Sequence, residues 1–231
     1  MKNIYKKIYN DQKNLGDLAE SPRVKIMLSM IDSLDLEEKN ILDIGCYDGT
    51  LLSQIKNRNN NFFGLEASGW AAPKARDKGI DVQEIFFDGS SKLPYEDNFF
   101  DLVIAGEIIE HIFDTDYFLE EIRRVLKPGG KFIISTPNIA SFGRRLLLFF
   151  GYDPIIEISP NQPDSSGHIR YFTFQSLREL LGKNGFKVIA EKTDCLNFSK
   201  IGKIKSRFLG KIFKRLGSSI IILAENSNQG G

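Results

Sequence analysis

Between Asn40 and Ala224, short runs rich in Ile, Leu, Val and Phe alternate with segments of helical period, and that alternation is what most constrains the fold. Strands of this kind are buried on both faces under helices, which predicts an α/β, Rossmann-like domain with a seven-stranded, mostly parallel sheet and helices on both sides. Strands are expected at 40–44, 61–66, 82–87, 101–105, 131–136, 186–190 and 219–224. Helices are expected to open at Thr50, near residue 69, at Asp114 or Thr115, and at Thr173, with Pro128-Gly129-Gly130 and Gly185 as stops. With 231 residues, 42% of them hydrophobic, the chain can close a core without covalent staples.

Two regions depart from the alternation. Residues 1–36 read as a helical cap ahead of a domain over 37–231, and residues 138–170 read as a lid or insert, with the apolar run Leu146-Leu147-Leu148-Phe149-Phe150 before a polar loop. Cys46 and Cys195 form no Cys-x-x-Cys pair, so neither a disulfide framework nor a thiolate zinc site is expected, and a cytoplasmic location is. No run reaches the roughly 20 apolar residues of a membrane span and residues 1–7 lack a signal-peptide core, so a soluble chain is expected. The 31 basic and 30 acidic residues leave a formal charge of +1, which gives no field for nucleic acid. The basic residues Lys200, Lys203, Lys205, Arg207, Lys211, Lys214 and Arg215 nevertheless follow one another without an acid. They suggest an amphipathic helix over 200–215 with Ile201, Ile204, Phe208, Leu209, Ile212, Phe213 and Leu216 on its apolar side, either packed against the sheet edge or meeting an anionic surface.

In open α/β sheets, ligands sit beyond the carboxyl ends of the strands where strand order reverses, which points to the turn Asp43-Ile44-Gly45-Cys46-Tyr47-Asp48-Gly49. Tyr47 breaks the Gly-x-Gly-x-x-Gly pattern, and the carboxylates would repel a pyrophosphate. An NAD-dependent oxidoreductase is therefore disfavoured, and a nucleoside carrying a cation suits the turn. Glu66, ending the second strand, has two oxygens for a pair of ribose hydroxyls, and Asp88, after the third, can accept from an adenine amine. Each acid alone reads as a solvated strand-end residue; three at successive strand ends point to a site.

These segments, with Leu93-Pro94, Asn98-Phe99-Phe100-Asp101-Leu102-Val103, Glu107-x-x-Glu110-His111 and Leu126-Lys127-Pro128-Gly129-Gly130, resemble the class I S-adenosylmethionine-dependent methyltransferases over residues 40 to about 136. Thr136-Pro137-Asn138 and His168-Ile169-Arg170-Tyr171-Phe172-Thr173 are similar to the subgroup with ubiquinone-biosynthesis and surface-glycan-pathway enzymes. The resemblance implies S-adenosylmethionine as cofactor, with Asp43, Gly45, Cys46 and Gly49 at its methionine part, Glu66 at the ribose, Asp88 and Gly89 at the adenine, and Glu107 in the same set. It implies methyl transfer to an oxygen of a small-molecule or glycan acceptor; a non-catalytic cofactor-binding regulator or scaffold is the alternative. Tyr47 stands where the family usually has glycine, so its side chain must turn away from the cofactor or replace part of the cap.

The two histidines, His111 and His168, both fall at the expected carboxyl edge, and a single helical turn would set Glu107, Glu110 and His111 on one face. Three readings stay open: a structural role, His111 or His168 as general base, and a divalent metal held by Glu107, Glu110, His111 and His168. Tyr5, Tyr9, Phe142, Tyr152 and Phe172 are candidates for lining the acceptor pocket or for core.

Overall fold

The computed structural model describes residues 18–55, 59–154, 167–197 and 205–227. Most of the expected cap, including Tyr5 and Tyr9, lies outside these residues, as do the middle of the 138–170 insert and residues 198–204 of the basic segment.

One seven-stranded sheet organises the molecule. Its strands are β1 (Asn40–Ile44), β2 (Asn61–Glu66), β3 (Asp81–Glu84), β4 (Phe100–Gly106), β5 (Leu126–Pro137), β6 (Phe186–Lys192) and β9 (Ser219–Asn226), and β7 (Leu196–Asn197) pairs with β8 (Lys205–Ser206) in a separate hairpin. The sheet order is β3-β2-β1-β4-β5-β9-β6, with β9 antiparallel to both neighbours and the β1–β5 pairings parallel. Strand alternation divides the core: Leu42, Val103, Phe132 and Ile222 face one side, whereas Ile41, Leu102, Ile133 and Ile221 face the other. The first side is covered by α4 (Thr115–Val125) and α6 (Phe174–Lys183), the second by α1 (Pro22–Asp32), α2 (Thr50–Ser53) and α3 (Ala71–Asp77).

Local chemistry explains the helix starts. The Asp114 carboxylate accepts the Tyr117 N–H at 3.0 Å and opens α4, whose Phe118, Leu119, Ile122 and Val125 recur at helical spacing and are fully buried. Thr173 and Ser176 form a reciprocal capping box at the start of α6. The Arg124 guanidinium reaches back to Glu121, Asp97 and the carbonyls of Leu93 and Tyr95, and so pins the loop that leads into β4.

Several expected boundaries move. β3 ends at Glu84, because the Ile85 N–H turns back to the Gln83 carbonyl and frees Phe87 to enter the core. β5 starts five residues earlier than expected, at Leu126, which pairs with Phe100 ahead of a register irregularity. The basic helix is shorter than expected: β8 occupies 205–206, Ser206 caps at the Leu209 N–H, and α7 runs only from Arg207 to Ile212. Phe172 is core rather than pocket lining, packed with Phe174 and Leu177. Among the described residues, no helix is long and apolar enough to cross a membrane.

Candidate functional site

Strand order reverses between β1 and β4, and the chain leaves both strands through turns in unusual backbone conformations. Gly45, Tyr47 and Gly49 all have positive φ, at 76°, 50° and 75°. Gly49 disfavours any larger residue, since its φ is left-handed and a Cβ there would stand 3.1 Å from Ala75 Cβ and 3.2 Å from Ala75 Cα. The Gly45 and Cys46 N–H groups both donate to the Leu65 carbonyl, at 2.8 and 3.1 Å. Tyr47 N–H and Ser68 N–H donate to the two Glu66 oxygens, at 2.8 and 2.7 Å. Glu66, which also accepts from the Ala67 N–H, is thus the post around which the β1 loop is bent.

The cleft above this loop is lined by Arg23, Val24 and Met27 of α1, by Asp43, Gly45, Cys46, Tyr47 and Asp48, by Thr50 and Leu51, and by Gly106. Burial, reinforced by the Glu66 charge and opposed by Arg23, pushes the Asp43 carboxyl up to about 8. Arg23 bridges the cleft to Glu107, Nη1 to Oε1 at 2.8 Å, and the Ser135 hydroxyl donates to the same oxygen at 3.3 Å. Arg23 escaped the sequence reading. Its spacing from Met27 and Met30, i, i+4 and i+7, was the available signal, for it puts the guanidinium on the buried face of α1.

Of the residues expected at the cofactor, Asp43, Gly45 and Cys46 line the cleft. The Cys46 thiol itself is turned beneath the loop, where a Cβ on Gly64 would come within 2.5 Å of it, and burial pushes its pKa up. Only its backbone and Cβ side can serve a ligand. Tyr47 turns its ring toward Trp70, centroids 5.8 Å apart, and Lys74 Nζ stands 3.5 Å over the Trp70 ring. Asp88 and Gly89 lie on the loop after β3; the Asp88 carboxylate takes the Ser90 N–H at 3.0 Å, and Gly89 is wedged against Ile112 and the Asp114 carbonyl.

S-adenosylmethionine fits this donor set. Two buried carboxylates suit its ammonium, sulfonium and ribose hydroxyls, and one guanidinium suits its carboxylate. Gly45 and Gly106 line the cleft without a side chain; the Cβ position at Gly45 is taken by Ile108, 2.4 Å away.

A second cluster stands beside the cleft. Glu107 does not share a helical turn with Glu110 and His111, because its φ is +60° and the short 3₁₀ turn begins only at Ile109. Its pairing with Arg23 separates it from the group of Glu110, His111 and His168, whose ligand-type atoms lie within 4.8 Å of one another. The His111 and His168 rings are 4.9 Å apart between centroids, and His111 Nδ1 is 3.1 Å from the Gly167 carbonyl. That contact places a donor proton on Nδ1 and the accepting lone pair on Nε2. The segment after the insert is tied down by Ile169 and Arg170, whose N–H groups both donate to the Glu110 carbonyl. Glu110 is 1% exposed; Oε2 accepts from Thr136, while Oε1 has no hydrogen-bond partner among the described residues and lies 3.8 Å from His168 Nε2. Burial holds this carboxyl well above the usual range, against the opposing Arg23 charge.

Comparison with known proteins agrees with this geometry. The family model described as a methyltransferase domain matches residues 23–191, beginning inside the stretch expected as cap. A probable S-adenosylmethionine-dependent methyltransferase of Mycolicibacterium smegmatis is 29% identical over 79% of this chain and 62% of its own length. A ubiquinone biosynthesis O-methyltransferase of Chelativorans sp. is 30% identical over 44% of this chain and 42% of its own length. The chain thus spans less than two thirds of these curated relatives. A Thermotoga maritima structure, described as an S-adenosylmethionine-dependent methyltransferase and possible histamine N-methyltransferase, superimposes with a TM-score of 0.66 at 23% identity, covering 98% of this chain and 100% of that one. By its matched domain, its sheet order and its cleft, the chain belongs to the S-adenosylmethionine-dependent methyltransferase family.

Proposed function

We propose that the protein transfers the methyl group of S-adenosylmethionine to an oxygen of a small-molecule or glycan acceptor, with His111 and His168 receiving the acceptor's proton. The observation that supports this reading is the meeting of two imidazoles over the buried, half-satisfied carboxylate of Glu110. The cofactor, when bound, supplies an electrophilic methyl on a sulfonium. Asp43 and Glu66 hold its cationic and hydroxyl-bearing parts, Arg23 balances their charge, and α1 shields the cleft from water. His111, with Nδ1 oriented by the Gly167 carbonyl, presents Nε2 to take up a hydroxyl proton and itself becomes the imidazolium; where His168 takes the proton instead, its Nε2 lies 3.8 Å from Glu110 Oε1, which stabilises the cation formed there. Positioning carries most of the rate, since attack on a sulfonium methyl needs in-line approach more than a strong base.

The uncoordinated Glu110 Oε1 also favours a second reading, in which Glu110, His111 and His168 hold a divalent cation that binds the acceptor oxygen. One experiment separates the two. The protein is incubated with methyl-labelled cofactor and a panel of phenols, sugars and nucleotides, before and after chelation. Under the proton-acceptor reading, His111→Ala or His168→Ala lowers turnover roughly 10²-fold or more at unchanged cofactor affinity, and chelation has no effect. Loss on chelation with rescue by Mg²⁺ or Mn²⁺ establishes the metal reading, and full turnover in the double variant removes both.

A further inference from the structure

The end of the sheet near β7 carries a second surface that the candidate site does not use. The helix after β5, α5 (Phe142–Phe149), and α7 both pack on β7, and in each case a glycine allows the close approach. A Cβ on Gly143 would stand 3.2 Å from the Asn197 carbonyl oxygen, and one on Gly210 would stand 3.2 Å from Cys195 Cα. Helices only about 12 and 9 Å long, each packed on the same two-residue strand, keep both elements beside that strand.

Those side chains are large and apolar. Phe149 is 81% exposed and Phe208 71%, and Leu148, Phe150, Tyr152, Ile212 and Phe213 are exposed with them. Phe149 and Phe150 pack edge to face at 5.2 Å. Single exposed apolar residues need no explanation, but a group of this size does.

The charge around the group has one sign. From Asn138 to Tyr152 the chain holds two arginines and no acid, and from Cys195 to Ala224 every charged residue is Lys or Arg. Arg145, Arg207 and Arg215 are exposed, while Lys214 is paired with Glu191 at 2.9 Å. Of the acids that bound these stretches, Asp194 is turned onto the Cys195 and Ser219 N–H groups and Glu225 is paired with Lys131. Asp153 alone is exposed, beyond Tyr152.

Exposed aromatic side chains accompanied on both elements by exposed arginines match a lipid interface, where rings enter the acyl boundary and guanidinium groups stay among phosphates. We propose that the α5–α7 surface docks the protein on an anionic lipid bilayer. Asn138 links this surface to the active edge of the sheet: it follows the last residue of β5, and its side chain donates to the Arg215 and Gly217 carbonyls at 3.0 and 2.8 Å.

The test is flotation of the full chain with phosphatidylcholine vesicles, with and without phosphatidylglycerol. The chain should float with the anionic vesicles at low salt, and the bound fraction should fall as salt shortens the screening length from about 30 Å at 0.01 M to about 3 Å at 1 M. Phe149→Ser with Phe150→Ser should weaken partitioning at least about tenfold, and Arg145→Glu with Arg215→Glu should abolish the preference for anionic lipid. Thermal unfolding and titration with S-adenosylhomocysteine establish that each variant is folded, since none of these residues lines the cleft. Failure to float with anionic vesicles, or flotation unchanged by both double variants, overturns the proposal. A lipid-independent dimer that Phe149→Ser with Phe150→Ser dissolves also overturns it, and assigns the surface to a second copy.

Discussion

Asp43 concentrates the conflict between stability and binding at a single residue. Its carboxyl keeps a proton up to about pH 8 in the fold, against about 3.9 in an unfolded chain, so the folded state holds the extra proton between those values. Stability therefore falls as pH rises through that window, the reverse of the usual ion-paired carboxylate. Asp43→Asn should leave the ligand-free protein unchanged near pH 4 and stabilise it near pH 8, on the order of a few kcal/mol. The same variant should bind S-adenosylhomocysteine more weakly, because the ammonium loses its counter-charge. Melting curves across pH together with a binding titration check both signs; a variant less stable than the wild type at pH 8 would contradict the account of Asp43. That His111 and His168 meet was readable in sequence because the chain has no other histidine and both lie in segments expected at the carboxyl edge of the sheet. Only the expected sharing of one helical turn by Glu107 with Glu110 and His111 fails, because a left-handed backbone leaves no trace in residue spacing.

At the scale of elements, strands and caps were the most legible. β1, β4 and β9 follow from uninterrupted buried runs; Thr173 reads as a cap from its place ahead of an amphipathic segment, and of the pair Asp114 or Thr115 the structure selects Asp114. Thr173→Ala should cost about 1 kcal/mol in urea unfolding, with cofactor affinity unchanged, since it removes a capping box on a helix that packs away from the cleft. What the sequence hid was the β7–β8 hairpin and the truncation of α7. A hairpin of two-residue strands has no periodicity to read, and Ser206, which caps α7, looks from the sequence like one polar residue within a continuous amphipathic pattern. Arg23 belongs to this scale too, for it ties α1 to the end of β4 through Glu107. Arg23→Ala should weaken cofactor binding by roughly 10- to 100-fold, the equivalent of about 1.5–3 kcal/mol for a charged hydrogen bond. An unchanged dissociation constant would show that α1 covers the cleft without touching the ligand.

Across the whole molecule, the sheet order places the β1 and β4 exits side by side, and the remaining elements serve that junction. Helices α2 and α3 brace the loop from below, Glu66 sets its curvature, and α1 closes over it with Arg23. The account rests on this junction being a cofactor site, so the most direct measurement is a calorimetric titration of S-adenosylhomocysteine into the wild-type protein and into Glu66→Gln. One equivalent should bind the wild type with micromolar affinity, and the variant, folded by circular dichroism, should bind roughly 10- to 100-fold more weakly for want of charge-assisted bonds to the ribose. No binding to the wild type, or equal affinity in the two proteins, would contradict it.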